Sequence, residues 1–203
     1  MASIAFVVDQ IKKDPSRILD HLPVEQVCRQ LHVDYRDRRL DPATTVGLLV
    51  RQVIAGNCSC AAVRHHDGGG GAFTPQAYCK ARQRLPLAVL QTLCRGLCDR
   101  AREGGRRRPG AELLPGQRVF VIDGSSFSMP DTPELQRHFG QPGAQKPGCG
   151  FPVAHLLAMF DLETGMLVEA VASPLRTHDL RHAASRMHPL MGKGDLLLGD
   201  TGF

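Results

Sequence analysis

A chain of 203 residues, 42% hydrophobic and 22% charged, has the length for one or two compact domains and the composition of a folded globular protein. It contains no apolar run near the ~18 residues that would cross a bilayer, which excludes a helical membrane protein. The apolar start over residues 1–8 has no basic leader and is closed by Asp9, so no secretory signal is expected and the protein is placed in the cytoplasm. Cysteines at 28, 58, 60, 79, 94, 98 and 149 are an odd, scattered set, expected to stay reduced. With no Trp and only 5% aromatics, a surface that stacks the bases of single strands is disfavoured.

The net charge of +5 is unevenly spread. Residues 1–118 hold 19 Lys and Arg against 11 Asp and Glu, and residues 119–203 hold 6 against 9. A basic first part beside a mildly acidic second part points to a module that holds a polyanion, joined to one that needs carboxylates. The alternative is arginine-rich composition without function, with 20 Arg to 5 Lys.

The first hundred residues read as helices. Asp41-Pro42 is a start signal, because the Asp side chain can accept a free amide and Pro fits the first turn. Val46, Leu49, Val50 and Val53 follow at helical spacing, and Gly56 is placed to end the helix. The five residues from Asp67 to Gly71 read as a flexible loop. Thr74-Pro75 repeats the start signal before a helix over 76–85. A third helix is predicted over about 86–102, with a stripe of Leu87, Leu90, Leu93, Cys94, Leu97, Cys98 and Ala101. Residues 103–117, with four Gly, two Pro and the run Arg106, Arg107, Arg108, have the composition of a linker. The expected organisation is a basic helical region over 1–105, a basic Gly/Pro linker over 106–118 and a second domain over 119–203.

After Gln117 the pattern changes. Val119-Phe120-Val121-Ile122 reads as a buried strand ended by Asp123-Gly124. Strands are predicted over 155–161 and 166–172, around the turn Leu162-Glu163-Thr164-Gly165. A helix over about 178–191 capped by Thr177 and a strand over 195–199 ended by Asp200 complete the series. Strand, strand, strand, helix, strand is the opening of a mixed α/β sheet.

Asp123 and Asp200 are each expected to follow an apolar strand directly, at the carboxyl end where open α/β sheets place ligands. On adjacent strands they could share a hard divalent cation, which takes one or two carboxylates plus water and phosphate oxygens. Asp after a strand is also a common turn former.

The segment Val121-Ile122-Asp123-Gly124-Ser125-Ser126-Phe127-Ser128-Met129-Pro130-Asp131-Thr132-Pro133-Glu134 resembles the first-aspartate block of the bacterial DDE transposases named for insertion sequence 4. Phe151-Pro152 before a strand, and Phe160-Asp161-Leu162-Glu163-Thr164-Gly165, are similar to that family's second and third strands. The run from Gly194 to Phe203 (GDLLLGDTGF) resembles its second-aspartate block, and that from Gln76 to Pro86 (QAYCKARQRLP) the helical region ahead of its core. The blocks occur in order over 74–203. The resemblance implies a helical DNA-binding region over 1–105 and, over 119–203, a partial catalytic core formed by the first half of a ribonuclease H-like mixed sheet, α/β in that core and α+β overall. It also implies an enzyme that cuts and joins double-stranded DNA with Mg²⁺ or Mn²⁺.

Asp123 and Asp200 would then be the first and second metal ligands, and Asp131 a turn residue. The family's third acid is a Glu downstream of the second Asp, in a Tyr-x2-Arg-x3-Glu-x6-Lys setting, and residues 201–203 do not contain it. Glu134, Glu163 and Glu169 precede Asp200 and are in the wrong order to replace it. The sequence therefore reads as an amino-terminal piece of a transposase, inactive alone. A competing expectation is a fragment that binds DNA or pairs with an intact transposase or a second copy. Lys80, Arg82, Arg84, Arg106, Arg107, Arg108 and Lys146 are the candidate DNA contacts.

Other patterns carry less. Cys58-x-Cys60 with His65-His66 fits no common zinc finger spacing. Cys94 and Cys98 lie one helical turn apart and read as core residues. His178 and His182 lack the Glu of a metalloprotease motif. The glycine-rich stretch around Lys146 lacks the Gly-Lys-Ser/Thr of a phosphate loop.

Overall fold

The structure, a computed structural model, describes residues 13, 19, 22–36, 38–66, 73–106, 114–144, 146, 150–175 and 183–200. The chain divides into two compact units, Met1–Leu93 and Cys94–Phe203. The division falls inside a helix, ahead of the Gly/Pro/Arg segment, of which residues 107–113 lie outside the described set.

The first unit is helical. It contains α1 (Val24–Gln30), α2 (Pro42–Ile54), the short α3 (Cys60–Val63) with a 3-10 turn at Arg64–His66, α4 (Pro75–Arg84) and the start of α5 (Leu87–Arg106). Each start signal works as its chemistry requires. The Asp41 carboxylate accepts from the Thr44 amide at 2.7 Å, and the Thr74 hydroxyl accepts from the Ala77 amide at 3.1 Å. Helix α2 ends in a Schellman motif: the Gly56 amide donates to the Val53 carbonyl and the Asn57 amide to the Gln52 carbonyl, with Gly56 at φ +73°. Two apolar clusters hold the unit together. One joins Val24, Val27 and Cys28 of α1 to Val46 of α2 and to Val89 and Leu93 of α5. The other joins Leu48, Val63, Phe73 and Tyr78.

Helix α5 runs to Arg106, four residues beyond the predicted end and through Gly104 and Gly105. A helical Gly costs only ~1 kcal/mol relative to Ala, too little to stop a helix by itself.

The second unit carries a four-stranded mixed sheet in the order β3-β2-β1-β4, with β1 at Val119–Ser128, β2 at Val153–Asp161, β3 at Leu167–Pro174 and β4 at Leu196–Leu198. Strands β1, β2 and β3 form antiparallel pairs, and β4 lies parallel to β1. This mixed α/β architecture is consistent with a ribonuclease H-like core. Phe120 and Ile122 of β1, Leu157 and Met159 of β2 and Val168 of β3 pack with Cys98 of α5 and Met187. Alternation therefore assigns Val121 and Asp123 to the opposite face of β1.

Two predicted elements change and one unpredicted helix appears. Strand β1 extends six residues past Ile122, because Asp123 through Ser128 continue the ladder with β2 as far as Ser128 opposite Val153. Asp123 thus lies inside the strand rather than just after it. A seven-residue helix, α6 (Pro133–Phe139), follows Thr132, whose hydroxyl accepts from the Leu135 amide at 3.3 Å. The described part of the predicted 178–191 helix is a π turn at Ala183–Met187 and a 3-10 turn at His188–Leu190, not an α-helix; residues 178–182 lie outside the described set. Among the described residues no helix is long and apolar enough to cross a membrane.

Candidate active site

The parallel pairing of β1 and β4 brings the two aspartate blocks together. Val119 stands opposite Leu196, Phe120 opposite Leu197 and Val121 opposite Leu198. Asp123 and Asp200 are each two residues beyond the last of these pairs. The ladder of β4 ends at Leu198, so Asp200 follows that strand, whereas Asp123 lies within β1. Both residues are exposed to solvent.

The register is fixed at the amino end of the two strands. The Asp195 carboxylate accepts from the Arg118 amide at 3.1 Å and from the Gly192 amide at 2.7 Å. The Leu196 amide donates in turn to the Arg118 carbonyl at 2.8 Å. Asp195 therefore clamps the start of β4 to the residue before β1. A slip of one residue would turn every side chain of β4 to the other face.

The remaining acids of the sheet serve structure. Asp161, at the end of β2, has no exposed surface. Its Oδ2 lies 3.0 Å from Arg102 Nη1 and 3.5 Å from Arg118 Nη2. Its Oδ1 accepts from the amide and the hydroxyl of Thr164, each at 3.0 Å. Glu163 lies 3.8 Å from Arg102 Nη2, and the Arg95 guanidinium pairs with the buried Glu169. The family resemblance covers Asp161, but its side chain is a structural anchor. Among the described residues no group of three or more His, Cys, Asp or Glu could hold a metal.

The candidate DNA contacts fall on different elements. Lys80, Arg82 and Arg84 are exposed on α4. Arg82 also donates to Gln52 Oε1 at 3.2 Å and lies over the Tyr78 ring at 5.7 Å. The same Gln52 oxygen accepts from the buried Tyr78 hydroxyl at 3.0 Å. Arg84 joins Tyr35, Arg36 and Arg38 in lining a cavity of 530 Å³ whose walls include Leu40 and Pro86. Sequence reading passed over Arg36 and Arg38; the run Arg36-Asp37-Arg38-Arg39 was the available signal. Lys146 is exposed, and its carbonyl accepts from Gln141 at 2.7 Å. Arg107 and Arg108 lie outside the described residues, and Arg106 is the last residue of α5.

Comparison with known proteins finds two similarities. Residues 114–203 match the family model described as the transposase DDE domain. The chain is 30% identical over 164 residues to a protein of Escherichia coli (strain K12) named "Putative transposase InsZ". That alignment covers 77% of this chain and 54% of the relative, so the chain spans about half the length of the protein it matches. No solved structure matches it. Residues 114–203 are thus similar to a transposase DDE domain, and the longer alignment is to a protein named as a transposase.

Proposed function

We propose that Asp123 and Asp200 are two acidic metal ligands of a transposase of the insertion sequence 4 type, and that the helical unit binds double-stranded DNA. The observation that carries the first part is the parallel β1–β4 register, which leaves both carboxylates two residues beyond its last pair. Two carboxylate donors suit Mg²⁺ or Mn²⁺, hard cations that fill their remaining positions with water and phosphate oxygens. Such an ion would supply charge stabilisation to the oxygens of phosphoryl transfer. The chain's own part is to hold the two acids on paired strands, with Asp195 setting the register. A second reading, favoured by the basic charge of residues 1–118, is a DNA-binding chain that pairs with an intact transposase or with a second copy, beside the chromosome in the cytoplasm.

Calorimetric titration with Mn²⁺ and Mg²⁺ tests the metal site: binding is expected for the chain and is lost in Asp123→Asn and in Asp200→Asn. Unchanged titrations in both variants would remove it. For the helical unit, duplex affinity measured across a salt series is expected to fall linearly on logarithmic axes as phosphate counterions are released. Affinity independent of salt would remove the DNA reading for residues 1–118.

A further inference from the structure

We propose that Cys60 and Cys79 form an oxidisable dithiol, a modification site that a low-molecular-weight disulfide converts to an intramolecular disulfide joining α3 to α4. The two sulfurs are 3.4 Å apart although 19 positions separate the residues in sequence. Both are free thiols. A disulfide bond is about 2.05 Å long, so small side-chain rotations would close the gap. Cys79 is exposed on α4 and Cys60 is half-buried at the first turn of α3, so a small oxidant reaches one member directly.

Arg82 Nη1 lies 3.9 Å from the Cys60 sulfur and places a positive charge beside the pair, where a thiolate must form before exchange begins. The Cys79 thiol is pushed up from its ordinary value, chiefly by its hydrogen bond to Cys60 and then by desolvation, with Arg82 opposing. Oxidation should accordingly quicken as pH rises. Of the other described cysteines, Cys28 and Cys98 are buried and Cys58 and Cys94 are half-buried, and burial raises the thiols of Cys28, Cys94 and Cys98.

The exchange balances. One protein thiol loses its proton, and its thiolate attacks a sulfur of the small disulfide. A mixed disulfide forms and one small thiolate leaves. The second protein thiolate then attacks the protein sulfur of the mixed disulfide and expels the other small thiolate. Two protein thiols are oxidised to one disulfide, and one small disulfide is reduced to two thiols. The pairing does not depend on the DNA reading, although α4 also carries Lys80, Arg82 and Arg84.

The test equilibrates the full chain with a glutathione disulfide/glutathione buffer, traps free thiols by alkylation and maps cross-linked peptides by mass spectrometry. Loss of two thiols and a cross-link between Cys60 and Cys79 are expected. Cys60→Ser and Cys79→Ser should each convert the remaining cysteine to a glutathione mixed disulfide and yield no cross-link. A chain unfolded in guanidinium should lose the preference for this pair. Recovery of both cysteines alkylated, glutathione on both, or cross-links scattered equally over the other cysteines in the folded chain would overturn the proposal.

Discussion

Replacing Asp161 by Ala should be the most damaging single change in the sheet unit, and its size follows from the contacts. The carboxylate is fully buried, and Arg102, its partner at 3.0 Å, is 8% exposed. Removing one member of a buried pair strands the other charge, which costs ~3–5 kcal/mol. The Thr164 amide also loses its acceptor at 3.0 Å. Two features soften the loss: Glu163 stays 3.8 Å from Arg102, and Arg118, 27% exposed, can turn to water. The expected loss is about 4 kcal/mol, a fall in Tm of ~15 °C for a unit of this size. Asp161→Asn keeps an acceptor for Thr164 and should lose about half as much. The chain has no Trp, so urea unfolding is best followed by circular dichroism. The double variant Arg102→Met with Asp161→Leu removes both charges and should recover most of the stability, because an apolar replacement of a buried pair is often neutral. A loss below ~1 kcal/mol for Asp161→Ala, or a double variant no better than the single one, would refute burial of the pair as the cause.

Further tests address other parts of the fold. Burial pushes the Tyr78 hydroxyl up to about 12, with Arg82 opposing and neighbouring cysteines adding to the rise. The fold therefore favours the neutral phenol. Stability from this group is complete below the unfolded value near 10 and should fall by ~1.4 kcal/mol per pH unit between about pH 10 and 12. Unfolding free energies of the chain and Tyr78→Phe over that range should differ in slope, and equal slopes would count against it. Asp195→Ala removes the acceptor of the Arg118 and Gly192 amides, each bond contributing ~1 kcal/mol in a half-exposed setting. It should weaken Mn²⁺ binding about tenfold without removing a ligand, and Asp195→Asn should recover part of that. Unchanged affinity in Asp195→Ala would show that the clamp does not set the site.

What could be read beforehand was what is local. Asp41-Pro42 and Thr74-Pro75 announced α2 and α4 because a capping side chain and its amide are three residues apart. Thr132-Pro133-Glu134 carried the same signal for α6, hidden inside a block read for its aspartate. The true length of β1 was illegible: Asp123-Gly124-Ser125-Ser126 has turn composition, and only the ladder to β2 makes it a strand. Passage of α5 through Gly104 and Gly105 was masked in the same way by a composition typical of linkers. For the site, the two aspartates were visible as residues, whereas their equal offsets depend on a parallel pairing between positions 77 apart. The Asp195 clamp, the Arg-lined cavity and the Cys60–Cys79 contact join distant segments and left no periodic trace.

The central claim is that Asp123 and Asp200 converge on one cation. Crystals grown with Mn²⁺ test it most directly, because the ion's anomalous scattering locates it independently of the protein atoms. The account predicts a peak bonded to a carboxylate oxygen of each residue at ~2.0–2.2 Å, absent in Asp200→Asn. Carboxyl groups more than about 12 Å apart, or a peak at other residues, would contradict it, since two ligands of one ion at such bond lengths cannot span that gap.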